Sequence, residues 1–225
     1  MIINPTLPIV SPPVVNPIIQ QFVAENVIAW EAIVLILKMI LVASGALIIG
    51  LILNKNMEKQ GFKTNKTVTM ILSTVMAIAL SLRFGLSVYT FQGLFLFFLL
   101  YYASISDLTN RHVADHISIS ILALALISVP TVGFTSMIIG GVSSFLIQIF
   151  AIAVSGDKYG GADLKISSAC CFLLGCPRGM AGIVIGLFIG ATFTLIYNKI
   201  KHRSILASFA LIPFFSIGMM AMYFI

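Results

Sequence analysis

The sequence has very few charged residues: they make up 9% of the chain, whereas hydrophobic residues make up 60%. A water-soluble domain could not cover its surface with so little polar material, so a soluble globular fold is excluded. The 13 Lys and Arg residues are spread thinly between apolar runs and form no basic patch with interleaved aromatic residues. We therefore expect the lipid bilayer as the partner of this chain, and no nucleic acid.

Cysteine is also scarce, with only Cys170, Cys171 and Cys176 in the chain. No pair has the CxxC spacing, and no fourth thiol or nearby histidine completes a zinc site. The pattern favours small apolar packing residues. We expect neither a metal nor another cofactor.

Long apolar runs fill most of the chain. Because a helix needs about 20 apolar residues to cross a bilayer, we predict an all-α integral membrane protein with a bundle of about eight transmembrane helices. The predicted spans are residues 27–53, 67–82, 88–105, 117–134, 136–154, 164–174, 180–197 and 204–225. The sixth run is short for a crossing, which leaves six or seven spans with a re-entrant segment as alternatives.

The N-terminal residues differ from the rest of the chain. Residues 1–27 are rich in proline and contain no Lys or Arg. We predict an extended, non-helical, extracytoplasmic tail there, followed by a single helical membrane domain over residues 28–225.

The distribution of cations predicts the topology, because short cytoplasmic loops carry an excess of Lys and Arg. Alternating the spans puts ten of the 13 cations on one side: Lys55, Lys59, Lys63, Lys66, Arg111, Lys158, Lys165, Lys199, Lys201 and Arg203. Arg83 and Arg178 fall on the other side, and Lys38 lies within the first span. The ten mark the cytoplasm, and both termini should then be extracytoplasmic.

Two short cytoplasmic loops hold the acidic residues of greatest interest, SDLTNRHVAD over residues 106–115 and GDKYGGADLK over residues 156–165. Asp107 directly follows the third span, and Asp163 opens the sixth. An Asp at a helix start is explained by capping alone. Capping does not explain the small residues Gly160, Gly161 and Ala162 before it. They keep the backbone free of bulky side chains where an extended peptide could lie.

Two carboxyl groups brought close together cannot both ionise cheaply, so they share a proton. One then acts as a base and the other as an acid. Such a pair can deprotonate a water molecule for attack on a peptide carbonyl and protonate the departing amine. Asp107 and Asp163 are therefore the predicted catalytic residues.

The two loops resemble the motifs of the type IV prepilin peptidases, membrane aspartyl proteases of the GxGD class. YGGADLK resembles the second motif, with Ala162 where the family has glycine. DLTNRHVAD resembles the first, with Val113, Ala114 and Asp115 in place of an Ile-Pro-Asn-like turn. The resemblance covers the chain from about residue 91 to its end. The CxxC pairs of larger members are missing, so we expect a minimal peptidase without the zinc and methylation domain.

The resemblance implies an endopeptidase of the prokaryotic cytoplasmic membrane, acting in type IV pilus assembly or secretion. Its partner would be a prepilin or pseudopilin, whose short cationic leader is removed at the cytoplasmic face. Asp115 and Asp157 are candidates for attracting that leader, because acidic groups beside the catalytic pair favour a cationic segment. Lys165 is a further candidate at the site, either lowering the pKa of Asp163 or anchoring its helix at the interface.

Two other functions remain open from the sequence. A small transporter or channel subunit could use intramembrane charges, such as Glu31 and Lys38, together with the two aspartates. It would need its carboxylates near the midplane, whereas Asp107 and Asp163 are predicted at the border. An inactive scaffold of a pilus or secretion assembly is the other alternative.

Overall fold

The computed structural model describes residues 17–155, 160–201 and 210–225, and all regular structure within them is helical. The longer helices are α1 (Pro17–Lys59), α2 (Lys66–Phe84), α3 (Val88–Asn110), α4 (Asp115–Ala125), α6 (Phe134–Ser155), α7 (Gly161–Leu174), α8 (Cys176–Ile200) and α9 (Ile212–Tyr223). A 3₁₀ turn (Leu126–Ser128) and the short α5 (Val129–Val132) continue α4. The predicted all-α fold is confirmed, with a helix in each of the eight apolar runs.

Six segments are long and apolar enough to cross a membrane, which makes this a multi-pass membrane protein. They are Ala29–Lys59, Lys66–Phe84, Val88–Asn110, Asp115–Val132, Phe134–Ala153 and Cys176–Ile200. In the described part of the chain, α7 and α9 are shorter, with 14 and 12 residues. The number of full-length spans thus agrees with the lower of the predicted alternatives.

The predicted non-helical tail is too long at its C-terminal end. Helix α1 begins at Pro17, so residues 17–27 are helical rather than extended. Proline is favoured in the first turn of a helix, where its fixed φ fits and its missing N–H costs no hydrogen bond. Residues 1–16 lie outside the described residues.

The chain divides into two compact units, Met1–Lys38 and Met39–Ile225. In the first unit, the side chains of Glu31 and Lys38 are exposed. Asp107 and Asp163 both belong to the second unit.

Helix α7 is a short, well-buried element of the second unit. Its length is about 21 Å, well short of a hydrocarbon core of about 30 Å. It packs against α4, α6, α8 and α9, and more than half of its residues are buried. It ends at Gly175, whose φ of +80° turns the chain directly into α8.

Glycines in the neighbouring helices bring their backbones against α7. A Cβ on Gly140 of α6 would lie 2.7 Å from the carbonyl oxygen of Cys171, and one on Gly179 of α8 would lie 2.6 Å from the Cα of Cys171. Small residues at helix contacts allow this close approach within a membrane. The position of α7 therefore depends on glycine on both sides.

We expect Gly179→Ala to lower the free energy of unfolding by about 1–3 kcal/mol, because the added methyl meets backbone atoms that cannot rotate away. Gly45→Ala is the control, since a Cβ on Gly45 meets nothing within 4 Å. Unfolding in mixed detergent micelles with increasing SDS measures both. Equal stability of the two variants would contradict the close contact.

Candidate active site

Asp107 lies in the last turn of α3, which runs five residues further than the predicted span and ends at Asn110. The next residue, Arg111, adopts a left-handed conformation (φ 53°), and its backbone N–H closes the turn by donating to the carbonyl oxygen of Asp107 at 3.0 Å. The hydroxyl of Ser106 donates to the carbonyl oxygen of His112 at 2.6 Å and holds the chain after the helix. Asp107 is consequently buried, with 9% of its surface exposed.

The carboxylate of Asp107 has a partner on α9. Its Oδ2 accepts a hydrogen bond from the backbone N–H of Ile212, at 3.3 Å. Ile212 is the first residue of that helix, where free N–H groups and the helix dipole favour a negative charge. The N–H of Ile212 therefore offsets part of the cost of burying a charge on Asp107.

Asp163 is the third residue of α7, and the N-cap is Gly160 rather than Asp163. A Cβ on Gly160 would lie 3.0 Å from Oδ2 of Asp163, so the carboxyl folds back over this glycine. The other carboxyl oxygen, Oδ1, is buried and has no hydrogen-bond partner among the described residues. A side chain at position 160 would therefore displace the Asp163 carboxyl by a few tenths of an ångström, whereas the φ of −76° is open to any residue.

The surroundings of Asp163 favour its protonated form. Burial raises the pKa of its carboxyl to about 7, and the charge on Asp107 pushes the pKa in the same direction. The backbone N–H of Gly160 opposes both effects. The two predicted catalytic residues are therefore near enough to affect each other's ionisation, although 55 residues of sequence lie between them.

A buried polar cluster supports the start of α7 and was not identified from the sequence. The hydroxyl of Ser167 hydrogen-bonds to the carbonyl oxygen of Asp163 and to the side chain of Gln148 on α6. Gln148 also donates to the hydroxyl of Ser144 at 2.9 Å. The available signal was a glutamine within the apolar run of α6, because a buried amide needs partners.

The residues predicted to contact substrate have different environments. Gly160 and Gly161 are exposed, and a Cβ on Gly161 would meet nothing within 4 Å, so space is open beside the site. Ala162 is half-buried against the core and adopts the helical conformation of α7, so a methyl group is accommodated where the family has glycine. Asp157 lies outside the described residues.

Lys165 pairs with Asp115, at 2.7 Å between Nζ and Oδ1. Both side chains are largely exposed, so the pair contributes little to stability. The expected action of Lys165 on the pKa of Asp163 is not seen, because burial, Asp107 and Gly160 account for that shift. Asp115 is thus partly neutralised by a residue of α7.

Within the described residues, no group of three or more His, Cys, Asp and Glu side chains could hold a metal ion. Cys170 and Cys171 are buried in α7, as apolar packing residues would be.

The raised pKa of Asp163 makes stability depend on pH. The ordinary pKa is 3.8, so between about pH 4 and pH 7 the folded protein holds this proton and the unfolded chain releases it. The stabilisation is complete below that range and is lost as the pH rises to about 7. We expect the free energy of unfolding to fall by up to about 1.4 kcal/mol per pH unit in this range, and to fall less in Asp163→Asn.

Unfolding of both proteins at several pH values between about 5 and 8 measures the difference. The comparison isolates Asp163, because all other carboxyl groups are common to the two proteins. Parallel pH profiles would show that Asp163 is ionised throughout.

Comparison with known proteins agrees with the motifs. A model of the type IV leader peptidase family matches residues 94–195, a segment that contains both Asp107 and Asp163. No curated protein and no solved structure matches the chain significantly. The resemblance found in the sequence is confirmed by this match to the type IV leader peptidase family over residues 94–195.

Proposed function

We propose that this protein is an aspartic endopeptidase of the prokaryotic cytoplasmic membrane that removes the cationic leader of type IV prepilins or pseudopilins. The match to the type IV leader peptidase family over residues 94–195 supports a peptidase. The aspartic mechanism rests mainly on one observation, the effect of the Asp107 charge on the pKa of Asp163. Two carboxyl groups that influence each other in this way can share one proton.

The different surroundings of the two carboxyl groups support different roles. Asp107 accepts the N–H of Ile212, which stabilises its charge, whereas Oδ1 of Asp163 has no partner in the described structure. The shared proton is therefore held by Asp163, and Asp107 is the base. This assignment applies to the resting enzyme, since the apparent pKa values belong to the pair.

The reaction then follows in two steps. Asp107 takes a proton from a water molecule while the water oxygen attacks the scissile carbonyl carbon. Asp163 donates its proton to the carbonyl oxygen. In the second step, the C–N bond breaks, the proton on Asp107 passes to the departing amine, and Asp163 recovers its proton from the hydroxyl group. The pair ends as it began, with Asp107 ionised and Asp163 protonated, and it carries one negative charge.

The location of the aspartates favours this function over transport. Asp107 is in the last turn of α3 and Asp163 is in the first turn of α7. A proton or cation relay would require carboxylates near the midplane. A peptidase that cuts between a cytoplasmic leader and a membrane segment requires them at the border, which is where helix ends lie.

Asp107→Asn and Asp163→Asn should each abolish cleavage, because Asn keeps the shape and removes the titrating proton. Co-expression with a candidate prepilin, followed by the mobility shift of the pilin on loss of its leader, measures this. Glu58→Gln is the matched control, an exposed acidic residue of α1. If both Asn variants accumulate in the membrane and cleave like wild type, the aspartic mechanism is wrong, and a transporter or scaffold becomes the better description.

Asp115 tests the attraction of a cationic leader. We expect Asp115→Lys to lower kcat/KM by about tenfold, in a way that low salt does not restore, because it adds a second cation beside Lys165. Lys165→Gln is the opposite change, since it leaves Asp115 uncompensated, and should not lower kcat/KM. Reversal at Asp157 should act like reversal at Asp115. Unchanged cleavage in both reversals would remove these residues from substrate recognition.

A further inference from the structure

Arg83 and Arg178 are the two cations that the predicted topology puts outside the cytoplasm, and the structure brings both to one cavity. Arg83 lies in the last turn of α2, and Arg178 lies in the first turn of α8. Both are exposed and line a cavity of about 280 Å³. Two residues that are 95 positions apart in the sequence thus share one small space.

The cavity is remote from the aspartates. Tyr89, at the start of α3, also lines it, while Asp107 is near the other end of the same helix. The 18 residues between them correspond to about 27 Å along the helix axis. The cavity therefore lies at the opposite end of the bundle and has no part in the proposed cleavage.

Arg83 is held in a fixed orientation. Its Nε donates to the backbone carbonyl of Phe224 at 2.9 Å, and its guanidinium lies 5.5 Å from the centre of the Phe84 ring. These two contacts orient the guanidinium plane and leave its terminal N–H groups for another acceptor. The restraint lowers the entropy cost of binding an anion there.

The positive charge of the cavity is not compensated by acidic side chains. Its lining contains no Asp or Glu, and its one negative group in the given sequence is the main-chain carboxylate of Ile225. Within the described residues, neither arginine forms an ion pair with that carboxylate or with an acidic side chain. Helix α8 also begins beside it, without a side-chain cap from its N-cap residue Gly175, which adds positive potential. The two guanidinium groups and the N-terminus of α8 would all attract an anion.

The polar groups at the base of the cavity already satisfy one another. The amide nitrogen of Gln92 donates to the hydroxyl of Ser128 at 2.8 Å and to the carbonyl of Leu124 at 3.0 Å. The hydroxyl of Tyr223 donates to the carbonyl of Tyr89 at 2.7 Å. The base is rigid and neutral, so recognition depends on the two guanidinium groups.

We propose that Arg83 and Arg178 form a binding site for a phosphate group, carried by an anionic phospholipid of the outer leaflet. The planar fork of arginine matches the oxygens of a phosphate, which two guanidinium groups can hold from two sides. Helix ends lie at the depth of lipid headgroups, and the apolar side chains Val132, Leu173 and Leu174 line the same cavity beside the arginines. Two arginines against one carboxylate, that of Ile225, leave the cavity positive, which favours a headgroup with net negative charge over a zwitterionic one.

Native mass spectrometry of the full chain tests this site. The protein is mixed with phosphatidylglycerol or phosphatidylcholine in detergent, and the lipid that stays bound after removal of the detergent is measured. We expect wild type to retain phosphatidylglycerol in preference to phosphatidylcholine. Retention of phosphatidylglycerol should fall by about tenfold or more in the double variant Arg83→Gln with Arg178→Gln. The matched control, Lys55→Gln with Lys199→Gln, removes two exposed cations elsewhere and should retain the lipid like wild type.

The double variant Arg83→Lys with Arg178→Lys separates a phosphate site from general attraction, because it keeps both charges and loses the two forks. We expect it to lose most of the retention. Full retention by this variant, or equal retention by wild type and the Gln double variant, would overturn the site. Inorganic phosphate is also tested on lipid-free protein. If it stabilises that protein at the concentrations that displace the lipid, the phosphate group does not come from a lipid, and the site binds a soluble phosphate compound instead.

Discussion

The rest of the second unit depends on the close contact of α7 with α6 and α8 at Cys171. Backbones can approach this closely only because Gly140 and Gly179 have no side chains there. In a bilayer, helices gain little from hydrophobic association with each other, so tight packing between small residues supplies much of the attraction. The contact holds a helix that is too short to cross the membrane inside the protein, where protein groups can satisfy its polar residues.

A second close contact completes the site. Gly186 of α8 faces α9, where a Cβ would lie 2.9 Å from the carbonyl oxygen of Phe214. Helix α9 is thereby positioned with its first N–H at Asp107, while the α7 contact positions Asp163. Asp107 accepts a hydrogen bond from the N-terminus of a helix. Oδ1 of Asp163 is buried and has no hydrogen-bond partner among the described residues. Packing between helices thus creates the electrical difference between two chemically identical side chains, which is what acid–base chemistry requires.

Sequence reasoning succeeded for local features and failed for contacts across the chain. The apolar runs predicted each helix, and the two motifs predicted the match to the leader peptidase family, because composition and spacing are local properties. The Asp115–Lys165 pair joins residues 50 positions apart, and the bond from Ile212 to Asp107 joins residues 105 apart. The latter donor is a backbone N–H, which every residue except proline possesses, so no side-chain pattern could have indicated it.

The two ends of the bundle differ in how they carry charge. At the end with Asp107, cations and acids are mixed, and the Asp115–Lys165 pair shows charges compensating each other within the protein. At the other end, the charge bias of membrane proteins keeps the number of cations low. Arginines that served only as interfacial anchors would be scattered over that end. Arg83 and Arg178 instead meet at one cavity whose other polar groups are already satisfied. Neither arginine forms an ion pair within the described residues, so their convergence points to an anion from outside the chain, and the bilayer surface is the nearest source of one.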